Sequence, residues 1–146
     1  MPSETERAWV AGFMDGDGCI TLASASGPTY RKPLVVVDNT DMELLDELTR
    51  MYGGSIVLKK KSQEHHRQAW SWRIYGADNV IRFLQDVLPY MRCPSKVIRG
   101  RMLVEEYKKV TVRNGYYTDN LRELKEDFEA RFLSVGAGRG SQCKPD

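Results

Sequence analysis

Two aspartates separated by one glycine, Asp15-Gly16-Asp17, and followed by Gly18, are the residues of this sequence best placed to do chemistry. Carboxylate and carbonyl oxygens are the preferred ligands of hard divalent cations, so the segment is a candidate site for Mg²⁺. Its position is unusual. Trp9, Val10, Phe13 and Met14 can share one face of a helix running from Glu4 to about Gly16, opened by a capping box of Ser3 and Glu6. The aspartates then stand at the carboxy-terminal end, where the peptide dipoles are partly negative and each acid costs roughly 0.3–1 kcal/mol unless a cation or donor compensates. Ala8, Ala11, Gly12, Asp15 and Gly16 recur on the same helix at spacings of three and four, a strip along which another backbone can approach closely. A calcium loop is excluded. With Gly18 at the turn position, the register puts Phe13 at the first ligand position and Ser24 at the last, where an acid is needed. On these residues alone a second reading stays open, in which the glycines end the helix and the aspartates bond local amides.

The elements that would position this segment follow from local pattern. Cys19 to Ala25 and Tyr30 to Val37 read as a hairpin turning at Ser26-Gly27-Pro28. A capping box of Thr40 and Glu43 predicts a second helix presenting Met42, Leu44, Leu45, Leu48 and Met51 and closed by Gly53 and Gly54. Ser55 to Lys60 and Ala69 to Tyr75 form a second strand pair around a polar loop with His65 and His66, a loop pair able to meet DNA or a metal but read first as solvated. In the later strand Trp70, Trp72 and Ile74 alternate with Ser71, Arg73 and Tyr75, so one sheet face is apolar and the other polar. Val80, Ile81, Phe83, Leu84, Val87 and Leu88 mark a third helix ending near Pro89. Ser95 is expected to cap a fourth, to about Lys109, and Thr118 a last one from Asp119 to about Leu133. The fold class is therefore α+β: helix, two strands, helix, two strands, helix, with a four-stranded antiparallel sheet, helices on one face and extra carboxy-terminal helices. Residues 1–134 read as a single domain and 135–146, with Gly136, Gly138, Gly140 and Ser141, as a flexible tail.

The 146 residues contain 22 Lys and Arg against 20 Asp and Glu and are 41% hydrophobic, the balance of a soluble globular protein. No window approaches the roughly 18 uncharged apolar residues of a spanning helix. Met1 to Arg7 lacks the basic start and apolar stretch of a secretory signal, so an intracellular protein with no membrane partner is expected. Cys19, Cys93 and Cys143 are odd in number and far apart, which predicts reduced thiols and no zinc pair. Between residues 31 and 113 lie 16 Lys and Arg against 10 Asp and Glu, a net of +6, while the two ends hold 6 against 10, a net of −4. A basic middle suggests a polyanionic partner, although clustered lysines also mark ordinary solvated surface.

The stretch from Val10 to Gly18 resembles the LAGLIDADG motif of the homing endonucleases, and the order of elements up to about Leu88 matches that family's core. The resemblance covers about residues 5 to 110. It implies a site-specific endonuclease that binds a long near-palindromic double-stranded DNA target and hydrolyses one phosphodiester per strand. With a single motif in the chain, it implies a homodimer in which the strip of Ala8, Ala11, Gly12, Asp15 and Gly16 packs on its copy. Asp17 is then the metal ligand and the Gly16 carbonyl the second. Two or three divalent ions would lie at the dyad, Mg²⁺ with Mn²⁺ able to substitute. Lys96, with Arg92 and Arg99 as competitors, matches the basic residue the family places by the metal, although Pro94 interrupts a stretch that is often more basic. Asn39 matches the polar, water-organising position and reads equally as a turn or helix-cap residue. The sheet would lie in the major groove, with Thr21, Tyr30, Arg31, Lys32, Lys59, Lys60, Lys61, Ser71, Arg73 and Tyr75 meeting DNA. An intron-RNA maturase and a non-cleaving DNA-binding regulator on the same fold remain alternatives. The compartment would be a bacterial or archaeal cytoplasm, or a chloroplast or mitochondrion.

Overall fold

The computed structural model describes residues 1–24, 30–61 and 63–136. The chain runs α1 (Glu4–Asp17), β1 (Gly18–Ala23), β2 (Lys32–Asn39), α2 (Met42–Tyr52), β3 (Ser55–Leu58), β4 (Trp70–Tyr75), α3 (Ala77–Val87), α4 (Pro94–Glu105) and α5 (Asp119–Ser134). The strands form one antiparallel sheet in the order β1-β2-β4-β3. This is the α+β architecture expected, with small displacements at the strand ends.

Register sorts the side chains. Ile20 faces Val35, which faces Ile74 across the next pair, and Val37 faces Trp72; all five are at most 4% exposed. Against them pack Val10 and Met14 of α1, Leu45 and Leu48 of α2, and Val80, Phe83, Leu84 and Val87 of α3. Trp72 is fully buried, and its indole N–H donates to the Gly53 carbonyl at 2.9 Å. Burial of a side chain of that size is worth about 1.5–3 kcal/mol, and the hydrogen bond removes the polar penalty. Gly54 has a positive φ of 85°, and a Cβ there would stand 2.6 Å from the Arg73 carbonyl oxygen, so only glycine closes α2 onto β4.

The opposite face carries Lys32, Leu34, Val36 and Asp38 of β2, Ser71, Arg73 and Tyr75 of β4, and Ser55 and Val57 of β3. It is not uniformly open: the partners Thr21 and Leu34 are 5% and 3% exposed.

Several local expectations are corrected. The cap of α2 is Asp41, whose carboxylate accepts from the Glu43 amide at 3.1 Å, one residue later than Thr40. Helix α3 runs on into a 3-10 turn, Leu88–Tyr90, that contains Pro89. Helix α4 begins at Pro94, before Ser95 could cap it, and ends at Glu105, with a separate 3-10 turn at Tyr107–Val110. Thr118 does cap α5, accepting from the Leu121 amide. Cys19 is disulfide-bonded, against the expectation of reduced thiols, and Cys93 is free. The turn at Ser26-Gly27-Pro28 and the tail from residue 137 lie outside the described residues.

Helix α5 buries Phe128, Phe132 and Lys125 completely. The Lys125 ammonium donates to Thr111 Oγ1 at 2.7 Å and lies 4.0 Å from the centre of the Tyr107 ring. Burial depresses its pKa to about 8. No described helix is long and apolar enough to cross a membrane.

Candidate active site

The two aspartates at the end of α1 have different partners. Asp15 accepts three hydrogen bonds, from the Arg92 amide at 3.1 and 3.0 Å and the Cys93 amide at 3.0 Å. Those residues lie just ahead of α4, whose N-cap, Cys93, makes no side-chain capping hydrogen bond. Asp15 thus ties the two residues that lead into α4 to the end of α1, 77 and 78 positions away in sequence. In return Lys96, in the first turn of α4, donates to the carbonyls of Met14 and Asp15 at 2.9 and 2.8 Å. Helix α1 has no basic residue in its own last turn, and this ammonium from α4 takes that place.

Asp17 is exposed. Among the described residues its hydrogen-bond partner is Asn39, whose Nδ2 donates to Asp17 Oδ2 at 2.9 Å. Asn39 ends β2, and its own Oδ1 accepts from the Asp41 amide at 2.7 Å. Asn39 closes the turn into α2, and doing so aims its amide at Asp17. The structure therefore brings Asp17, Asn39 and Lys96 to one end of α1. Of the competitors, Arg92 meets Asp15 through its backbone amide and is exposed, and the Arg99 guanidinium is occupied elsewhere, donating to the Ile20 carbonyl and lying over the Phe132 ring at 4.9 Å.

No group of three or more His, Cys, Asp or Glu converges among the described residues. One chain offers a divalent ion the Asp17 carboxylate and the adjoining Gly16 carbonyl, a hard-oxygen set that fits Mg²⁺ in kind.

Beside it, Ala8, Gly12 and Gly16 form an exposed strip. A Cβ on Gly12 or Gly16 would meet nothing within 4 Å, so packing within this chain does not demand glycine there. A depression of about 450 Å³ follows the strip to Asp17 and Asn39, and is lined also by Trp9, Phe13 and Leu44. Trp9, expected on the core face, is 41% exposed and packs edge-on against Phe13 at 5.4 Å. Two members of the expected strip are corrected. Ala11 is fully buried in the core of its own chain, and the Asp15 side chain is committed to α4.

The residues expected to meet DNA divide three ways. Lys32 and Tyr75 are exposed and Arg73 half-buried on the face away from the core, and Lys59, Lys60 and Lys61 gather with His66 and Arg67 around a depression of about 200 Å³. Thr21 and Ser71 lie on the same face but are 5% and 2% exposed, which corrects them as direct contacts. Tyr30 and Arg31 are turned toward the chain's own carboxy-terminal half and first hairpin: Tyr30 packs on Tyr117 at 4.8 Å and donates to Glu126, and Arg31 donates to the Leu22 carbonyl and Ser24 Oγ. His65 and His66 are an exposed, edge-on ring pair. Sequence reasoning passed over Asp38, which lies on this face, takes a hydrogen bond from Ser71 and pairs with Lys59 at 2.7 Å. The period-two pattern of β2 places it there, but the residues that precede it on that face, Leu34 and Val36, are apolar and conceal the change of character along the strand.

The site is thus a helix ending in an exposed, oriented carboxylate, laid over an antiparallel sheet whose outer face mixes polar and apolar side chains. The chain belongs to the LAGLIDADG family: the model of the LAGLIDADG-like domain matches residues 4–87. No curated protein matches the sequence. Among solved structures, the homing endonuclease I-TnaI superposes with a TM-score of 0.57 at 18% identity, covering 94% of this chain and 89% of that one. The archaeal intron-encoded homing endonuclease I-Vdi141I, complexed with DNA, gives 0.54 at 14% over 89% and 98%. I-CvuI, in complex with its target in the presence of Ca, gives 0.51 at 17% over 86% and 95%.

Proposed function

We propose that this chain is a homing endonuclease that binds a near-palindromic double-stranded DNA site as a homodimer and hydrolyses one phosphodiester in each strand. The observation that carries the reading is the end of α1: an exposed Asp17, oriented by Asn39, beside a strip of Ala8, Gly12 and Gly16 whose glycines serve nothing within one chain. Packing two such strips together brings two Asp17 carboxylates side by side and completes a donor set that one chain leaves at half.

Divalent ions, two or three at the dyad and Mg²⁺ in the first place, would be held by Asp17 and the Gly16 carbonyl of both copies. When bound they lower the pKa of a water nucleophile and stabilise charge on the phosphate and leaving oxygens. The chain's own residues do the rest. Asn39 fixes the rotamer of Asp17. Lys96, held on the last carbonyls of α1, keeps a positive charge under the site. Lys59, Lys60 and Lys61 neutralise phosphates, and Lys32, Arg73 and Tyr75 face the groove.

The test is cleavage of a randomised duplex library with Mg²⁺ or Ca²⁺ by the wild type and Asp17→Asn. The wild type is expected to recover a cut, near-palindromic sequence with Mg²⁺, and Asp17→Asn to bind it with cleavage lowered at least about 1,000-fold. Binding of DNA or structured intron RNA without cutting under any metal would replace the nuclease with a regulator or a maturase.

A further inference from the structure

Asp38 has no part in that reading, and it stands where a polyanion-binding surface should least tolerate it. Strand register puts it opposite Ser71 on the face away from the core, between the core-facing Val37 and Asn39. Among the described strand residues of that face it is the one acid. Its environment is built. Oδ1 accepts from the hydroxyl of Ser71, a residue 2% exposed, and Oδ2 accepts from the Lys59 ammonium at 2.7 Å. The Asp38 side chain itself is 38% exposed. Ser71 therefore fixes its direction, Lys59 offsets the charge that phosphates would repel, and lone pairs remain for a donor arriving from solvent.

Resting on the endonuclease reading, we propose that Asp38 is a specificity-determining residue that accepts a hydrogen bond from the N4 amino group of a cytosine in the major groove. The base lies close to the scissile phosphate, because the next residue, Asn39, touches Asp17. The chemistry sets the choice. Cytosine presents a donor in the major groove, guanine presents two acceptors, thymine presents an acceptor and a methyl group, and the adenine donor is flanked by the N7 acceptor. A carboxylate, which only accepts, favours cytosine, tolerates adenine and rejects the other two.

The experiment compares wild type, Asp38→Asn and Lys59→Gln on a duplex library randomised at the base pairs flanking the cut, sequencing bound and cleaved fractions separately. Asp38→Asn keeps an acceptor for Ser71, and its melting curve checks the fold. Wild type should prefer cytosine, with adenine second, at one position in each half-site. Asp38→Asn should lose that preference by on the order of tenfold or more and gain adenine there, since a carboxamide pairs with adenine N6 and N7. Preferences elsewhere should not move. Lys59→Gln should keep the cytosine preference while weakening all targets alike. An Asp38→Asn profile identical to wild type, or lowered equally on every target, overturns the assignment while leaving the endonuclease standing. A wild type that neither binds nor cuts any duplex overturns both.

Discussion

Asn39 is tied down at both ends, by the Asp41 amide and by Asp17, which makes it a positioning residue. Asn39→Ala is expected to slow cleavage by about 10-fold to 100-fold under saturating DNA while leaving the DNA dissociation constant within about twofold, because what is lost is the aim of a group that acts on the transition state. Single-turnover kinetics beside a binding titration separates the two. Lys125 carries a different prediction. Its folded pKa, about 8, lies below the ordinary lysine value of 10.5, so between those values the unfolded chain binds more protons and stability rises with pH; below about 8 both states are protonated and this contribution is flat. Denaturant titrations from pH 7 to 10.5 should show that rise in the wild type and lose it in Lys125→Met. Asp17 was legible in the sequence because a motif isolates it. The burial of Lys125 was not, because a lysine between charged neighbours in α5 reads as helix exterior until Tyr107 and Thr111 close over it.

The elements were legible wherever their signal is local. The alternation of Trp70, Trp72 and Ile74, the stripe from Val80 to Val87 and the capping box at Ser3 each need only a few neighbours, and each matches the structure. The start of α4 is of another kind. It begins at Pro94 behind an N-cap with no side-chain capping bond, and what fixes the two residues just ahead of it lies far off in sequence, where pattern within a window cannot look. The answer is Asp15. Its replacement by alanine should cost roughly 1–2 kcal/mol in urea denaturation, since two backbone amides lose a charged acceptor at once. Asp15→Asn, which keeps an acceptor, should lose less.

For the whole molecule, the decisive prediction concerns association. Gly12→Leu adds bulk where the chain has open space, and replacing glycine inside a helix is worth up to about 1 kcal/mol in favour of the helix, so the monomer should melt no lower than wild type. Two such chains could no longer bring their first helices together. Sedimentation should show the dimer lost, with cleavage lost alongside it and secondary structure intact. The clasp between α1 and α4 also bears on where this molecule can be cut. The family likeness spans residues 4–87, yet the amides and the ammonium that finish the end of α1 come from Arg92, Cys93 and Lys96. A fragment trimmed to the recognisable span would keep every motif residue and strand Asp15 and the last carbonyls of its helix without partners. The portable unit of structure is longer than the recognisable unit of ancestry, and any fusion or transplant of this helix end has to carry the opening turn of α4 with it.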